Sequence, residues 1–280
     1  MFTKRDVADY YNVTQLHYEN WWGLKKNYSL HYGIWENGIK TAGEAIANTN
    51  RIMMELSSIT AKDAVLDAGC GVGGAAIYIS SIKSARVTGI TLSEKQLAFA
   101  NQLAKEKNLT DKVSFHLMDY TQTAFADESF DVVWACESMT HAADKEAFIK
   151  EAYRLLKKGG RLIVCDFFLK ADDQQDKKSW IKKWMHTWFI DDLVSCKLFT
   201  EQLDRHGFVI KQELDYTSQI YKTARKLYYA SLLGAIPAEL YNLFNPAVSR
   251  FSRHHYKCGY YQYKALKAGL WRYQLVLAEK

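Results

Sequence analysis

Residues 64–79, AVLDAGCGVGGAAIYI, constrain this chain more than any other stretch. Val65 and Leu66 lead into Asp67, and then come Gly69, Gly71, Gly73 and Gly74, followed by Ala75, Ala76 and Ile77. The pattern predicts a buried strand, a tight turn, and a helix whose first turn packs close to the strand. Glycines at these positions let the backbone turn sharply and let a ligand approach the main chain. The helix start offers unpaired N–H groups and a positive dipole end to an anionic group. A GxGxxG-type loop alone is a weak signal, so the strands after it must decide what it binds.

From residue 64 strand-like and helix-like segments alternate, as in a parallel sheet with crossover helices. Strands are predicted at 64–67, 86–90, 112–118, 130–135 and 161–167. Helices follow to about residue 81, over 94–108 behind the cap Ser93, and over 145–156. The last of these is expected to end in Lys157-Lys158-Gly159-Gly160, basic residues closing its final turn and glycine after it. Past residue 170 the alternation breaks. Residues 171–192 are long and charged, with Trp180, Trp184 and Trp188 on one helix face. Two more strands are predicted at 208–213 and 271–278, with a largely helical stretch over 224–261 between them.

Before residue 64 no strand is expected. A short helix begins at Asp6, an aromatic-rich loop over 21–35 contains NYSLHYGIW, and a long helix covers 41–56. The expected fold is α/β: a seven-stranded Rossmann-like sheet, mostly parallel with its last strand antiparallel, and helices on both faces. Residues 1–60 are expected to form a helical and aromatic cover. Residues 61–280 carry the sheet, with lid insertions at about 171–200 and 217–265.

The net charge of +6, from 37 Lys and Arg against 31 Asp and Glu, is too small to argue for nucleic acid. Five scattered cysteines without a CxxC read as reduced thiols of a cytoplasmic protein, with no metal site. No apolar core of a secretory signal and no run long enough to span a membrane is present, while contact with a membrane surface stays open.

The predicted strand ends carry the chemistry. They hold Asp67 with the glycines, then Thr91-Leu92-Ser93, then Asp119-Tyr120, then Cys136-Glu137-Ser138 with His141 a turn later. A carboxylate or hydroxyl at four strand ends is hard to explain as core packing, and points to a nucleoside-like cofactor along the sheet edge. A nicotinamide enzyme usually places an acid at the second strand end, where this chain has Thr91. No GK[ST] follows the glycines, so a P-loop is excluded.

VLDAGCGVGG, VTGITLSEKQ, a strand ending in MDY, SFDVVWACES and LLKKGGRLIVCDFF together resemble the class I S-adenosylmethionine (SAM)-dependent methyltransferases over residues 64–168. NYSLHYGIW, GITLS and the ES…H after the fourth strand are similar to one branch, which holds tocopherol, sterol and prenyl-diphosphate methyltransferases and the cyclopropane-lipid synthases. The resemblance implies SAM as cofactor. It implies that Tyr28 and Ser29 reach the methionine end, that Gly69, Gly71 and Gly73 pass beneath it, and that Asp67 orients its amino group or the loop. Thr91, Leu92 and Gln96 match the ribose side, and Asp119 and Tyr120 the adenine side. Relatives often read ESxEH where this chain reads ESMTH; Thr140 replaces an acid, and Glu137 and His141 remain as catalytic candidates.

A methyl acceptor at oxygen or nitrogen can use a base, whereas an alkene carbon gives a carbocation that needs aromatic shielding and a proton acceptor. With 18 Tyr, 13 Phe and 8 Trp, a small terpenoid or prenyl-lipid acceptor methylated at carbon is favoured. Methylation of nitrogen or oxygen in a small metabolite, or a SAM-binding cyclase on the same scaffold, are the alternatives. Basic clusters at Lys177-Lys178, Lys182-Lys183, Lys222-Arg225-Lys226 and Arg250-Arg253 suit a diphosphate-bearing acceptor or simply solvated lid faces.

Overall fold

The alternation after residue 64 folds as one seven-stranded sheet, its strands side by side in the order 113–117, 86–91, 64–68, 130–136, 156–169, 271–279 and 209–215. A computed structural model describes residues 2–17 and 24–280; the predicted Trp21-Trp22 start of the aromatic loop lies outside them. The strands are β1 (Ala64–Ala68), β2 (Arg86–Thr91), β3 (Val113–Leu117), β4 (Phe130–Cys136), β5 (Leu156–Leu169), β6 (Val209–Asp215) and β7 (Trp271–Glu279). The helices before β1 are α1 (Lys4–His17), α2 (Leu24–Asn27) and α3 (Ala42–Leu56). Within the alternating half lie α4 (Gly74–Lys83), α5 (Glu94–Glu106) and α6 (Lys145–Leu155). The later helices are α7 (Trp180–Trp188), α8 (Cys196–Arg205), α9 (Tyr221–Phe244), α10 (Arg250–Arg253) and α11 (Cys258–Lys267).

β1 to β5 run parallel, and β7 runs antiparallel to both of its neighbours. The strand order reverses beside β1, where Asp67 pairs with Gly89 of β2 and Trp134 of β4. That switch point is where open α/β sheets place ligands. Successive residues of the central strands face opposite layers. Val65, Val132 and Trp134 pack with α3 and α4, while Leu66, Val133 and Leu162 pack with α6 and α8. Because both faces are covered, these strands read as almost continuous apolar runs.

One expectation needs correction. α6 ends at Leu155, and Lys157-Lys158-Gly159-Gly160 belong to β5 instead of capping the helix. The Lys157 ammonium sits 2.8 Å from Asp131, and the Gly159 N–H donates to the Lys280 carbonyl, so the basic pair serves the sheet rim. The tryptophan stripe lies on one helix, α7, as expected, and α8 follows as a separate helix. The late helical stretch is broken into α9, α10, a 3-10 turn at His255–Lys257, and α11. α3 lies where a helix is expected, and a capping box starts it, Thr41 accepting from the Glu44 N–H while Glu44 reaches back to the Thr41 N–H.

Candidate active site

At the carboxyl ends of β1, β2 and β4, beneath α1, α7 and α9, lies a cavity of about 700 Å³. That volume suits a cofactor and a small second molecule. Of the residues singled out in the sequence, Tyr28, Ser29, Asp67, Gly69, Gly71, Thr91, Leu92, Gln96, Tyr120, Glu137 and His141 line it.

Gly69 and Gly71 have φ of +85° and +53°, a conformation that L side chains rarely adopt. A Cβ on Gly69 would meet Ser138 Cβ at 2.4 Å, whereas one on Gly71 would meet nothing closer than 3.9 Å. Gly69 is therefore needed for packing and Gly71 leaves open space, a cradle in the cavity floor. Above it, the Thr91 hydroxyl donates to the Gln96 side-chain oxygen at 2.8 Å. The Gln96 amide nitrogen is 3.9 Å from the point a Gly71 Cβ would occupy.

Two residues fall elsewhere. Gly73 (φ +83°) faces inward, where a Cβ would lie 2.6 Å from the Phe115 ring and 2.9 Å from Ala100 Cβ, so it turns the chain into α4 and does not line the cavity. Asp119 faces a neighbouring surface groove that shares Leu92 and Tyr120 with the cavity. There its carboxylate accepts from the Thr121 N–H at 2.8 Å and ion-pairs with Lys4 of α1.

The remaining strand ends are tied together by side chains. The Ser138 hydroxyl donates to the Ala68 carbonyl at 2.6 Å, and the Tyr120 hydroxyl donates to the Ser138 carbonyl at 2.7 Å. Glu137 is a non-glycine residue at φ +49° just past β4. Such a conformation persists only where the surroundings enforce it. Here the Tyr32 N–H donates to its carboxylate at 2.6 Å and the Tyr273 hydroxyl at 2.7 Å, so Glu137 joins the N-terminal cover to β7.

Burial governs the charges. Asp67 is almost fully buried, one carboxylate oxygen has no partner, and desolvation pushes its carboxyl up to about 7. Desolvation also pushes Glu137 well above the usual carboxylate range, against its two hydrogen bonds. The same effect, with help from Lys145, drives His141 down to about 3, so its imidazole is neutral. His141 Nε2 hydrogen-bonds the Tyr11 hydroxyl at 2.9 Å.

Sequence inspection missed four supporting residues. Asp166, fully buried, accepts from the Thr140 N–H at 3.0 Å and the Thr140 hydroxyl at 2.6 Å, which accounts for the hydroxyl that replaces an acid in ESMTH. Lys145 donates to the carbonyls of Thr140, Ala142 and Asp192 and clamps the His141 turn. A lone acid inside RLIVCDFF was the available signal for Asp166. Tyr32 and Tyr273 looked like ordinary core tyrosines, and only the fold brings them to Glu137.

The side of the cavity away from the glycines is apolar and aromatic: Phe167, Trp188, Leu227, Pro237, Tyr241 and Tyr256 contribute. Trp184 of the stripe is instead fully buried against Phe167 and Trp271. Among the described residues no lysine or arginine lines the cavity. The basic clusters face outward: Lys183 over Trp180, Lys222 over Trp35, and Arg250 against Asp6.

Residues 66–164 match a family described as a methyltransferase domain. The chain is 39% identical over 141 residues to 27-O-demethylrifamycin SV methyltransferase of Amycolatopsis mediterranei, covering 50% of this chain and 52% of that protein. It is 34% identical over 173 residues to sterol 24-C-methyltransferase of Debaryomyces hansenii, covering 61% and 45%. The chain thus spans about half the length of the curated relatives it matches. A solved structure of the [4+2]-cyclase SpnF superposes with a TM-score of 0.83 at 24% identity, covering 100% of this chain and 97% of that one, a likeness of fold.

Proposed function

We propose that this chain, which carries a class I SAM-dependent methyltransferase domain, transfers a methyl group from SAM to a small, hydrophobic, uncharged acceptor. One observation carries the reading. A single cavity runs from an open glycine cradle, beside a buried carboxylate with one unpartnered oxygen, to an aromatic wall that holds no cationic side chain among the described residues. Asp67 would hold the cofactor's amino group, Gly69 and Gly71 would underlie its methionine end, and Thr91 and Gln96 would face its ribose. Tyr28 and Ser29 would close over it. Asp119 would reach the adenine side only after exchanging Lys4 for that ligand. The bound sulfonium supplies an already activated methyl group. The chain supplies alignment and exclusion of water, which its largely apolar walls favour.

For the acceptor atom, we favour carbon. Phe167, Trp188 and Tyr241 border the cavity with aromatic rings of the kind that shields a carbocation. The Glu137 carboxylate borders the same space and would take the proton. Its raised pKa means that the ionised, basic form grows as pH rises, so turnover is expected to climb with pH through the Glu137 transition. Glu137→Gln keeps an oxygen for the Tyr32 N–H and the Tyr273 hydroxyl. The variant is expected to bind SAM and its demethylated product within about twofold of the parent by calorimetry, while turnover falls roughly a hundredfold. Unchanged turnover removes Glu137 as the base.

A second reading, methylation of a hydroxyl oxygen, is favoured by His141. Its imidazole is neutral, borders the cavity, and is held by Tyr11. Incubating the protein with methyl-labelled SAM and a panel of sterols, tocopherols, prenyl diphosphates, polyketide macrolides and small amines, then locating the label, separates the two. Label on carbon of an uncharged acceptor is the expected result; label only on oxygen transfers the base role to His141. Label only on a diphosphate substrate overturns the uncharged-acceptor reading.

A further inference from the structure

α9 has two unlike faces. Leu227, Ser231, Gly234 and Ala238 line the cavity. On the opposite side Tyr229, Leu233, Ile236, Leu240, Leu243 and Phe244 recur at three- and four-residue steps and project outward. Leu233 is 79% exposed, Phe244 77%, and Ile236 and Leu243 each 73%, a continuous apolar stripe on a helix that forms the cavity wall. A stripe of this kind on a protein surface marks a contact site.

Charge identifies what it contacts. Between Lys226 and Arg250 the only charged residue is Glu239, and Lys257 neutralises it at 3.2 Å. Lys222, Arg225 and Lys226 stand on the turns just before the stripe, exposed and without an ion pair among the described residues. Arg253 stands beyond the other end, held by the Pro246 carbonyl and not by an acid. An apolar helical face with cations at both ends complements an anionic lipid surface, acyl chains meeting the stripe and headgroups meeting the cations. A second copy of the chain fits poorly, because stacking two such helices in either direction brings cationic ends together. No described helix is long and apolar enough to cross a membrane.

We propose that α9 is a membrane-docking helix that lies in the plane of an anionic bilayer, with the cavity directly behind it. A hydrophobic acceptor dissolved in the bilayer would then enter past α9 without crossing water. The docking itself does not depend on methyl transfer, and its test needs no turnover.

The full chain is mixed with vesicles of phosphatidylcholine alone, or with about a third phosphatidylglycerol, and bound protein is measured by sedimentation. Binding to the anionic vesicles at least about tenfold stronger than to the neutral ones is expected, weakening as salt is raised. Leu233→Glu and Phe244→Glu lie on the exposed face and outside the cavity, so the fold, checked by circular dichroism, and SAM binding should persist while vesicle binding falls about tenfold. Arg225→Glu combined with Lys226→Glu should abolish the preference for anionic lipid. No vesicle binding, or binding that these variants leave unchanged, overturns the proposal. So does a concentration-dependent dimer, seen by light scattering, that Leu233→Glu disperses, because it assigns the stripe to a second copy.

Discussion

Gly74→Ala is expected to be among the most damaging single-methyl changes in the chain. A Cβ at Gly74 would stand 1.6 Å from the Tyr28 carbonyl oxygen and 2.7 Å from the Ser29 hydroxyl. Neither neighbour is the end of a flexible side chain in open space: Ser29 is buried, and the Tyr28 N–H is bonded to the Leu24 carbonyl. The cover loop must therefore lift away from the first turn of α4. The cost is about 3 kcal/mol or more, a fall in Tm of roughly 5 °C or more for a chain of this size. Cofactor affinity should fall with it, because Tyr28 and Ser29 leave the cavity. Gly234→Ala is the control. Nothing lies within 4 Å of its Cβ position, and it sits inside α9, so alanine should stabilise slightly, by up to about 1 kcal/mol. A Gly74→Ala protein that melts with the parent shows that the loop is not seated on α4 in solution.

The second large effect belongs to Asp67, where stability and binding move in opposite directions. Its ordinary pKa is 3.8 and burial lifts it to about 7. Between those values the folded chain keeps a proton that the unfolded chain has released. Its contribution to stability is thus present below about pH 4, shrinks as pH rises toward 7, and then levels off. Asp67→Asn cannot titrate, so it should remove this slope and leave the ligand-free variant more stable than the parent above about pH 7, as read from melting curves. Cofactor binding should respond in reverse. In the parent, affinity rises with pH as the carboxylate forms to receive the cationic amino group. In the variant it drops about a hundredfold, roughly 3 kcal/mol. An Asn variant that binds SAM as tightly as the parent overturns the assignment of Asp67.

Most of the sheet was legible because its signals are local. Apolar runs, Ser93 and the glycines after Asp67 each specify geometry within a few neighbours, and β1 to β4 lie close to where those signals put them. The errors arose where long-range contact overrode local preference. Lys157-Lys158-Gly159-Gly160 look like the end of a helix, yet the backbone pairing of Gly159 and Gly160 with Lys280, together with the Lys157–Asp131 ion pair, holds them in β5. The cavity-lining residues were found because polar side chains at strand ends are conspicuous. Gly73 and Asp119 lie off the cavity lining, because spacing along the chain does not say which way a turn faces. The partners of Glu137 could not be read at all: Tyr32 and Tyr273 are 241 residues apart in the sequence, and each alone reads as core.

The position of β7 sets an order of assembly. It is the last of the seven strands to be synthesised, yet it lies inside the sheet, between β5 and β6. Among the described residues β6 pairs only with β7, so it has no place in the sheet until residues 271–279 have arrived. The parallel half from β1 to β5 can form while translation continues, but the Tyr273 hydroxyl that holds Glu137 comes with that late strand. A nascent chain therefore acquires its glycine turn early and its candidate base in working position last.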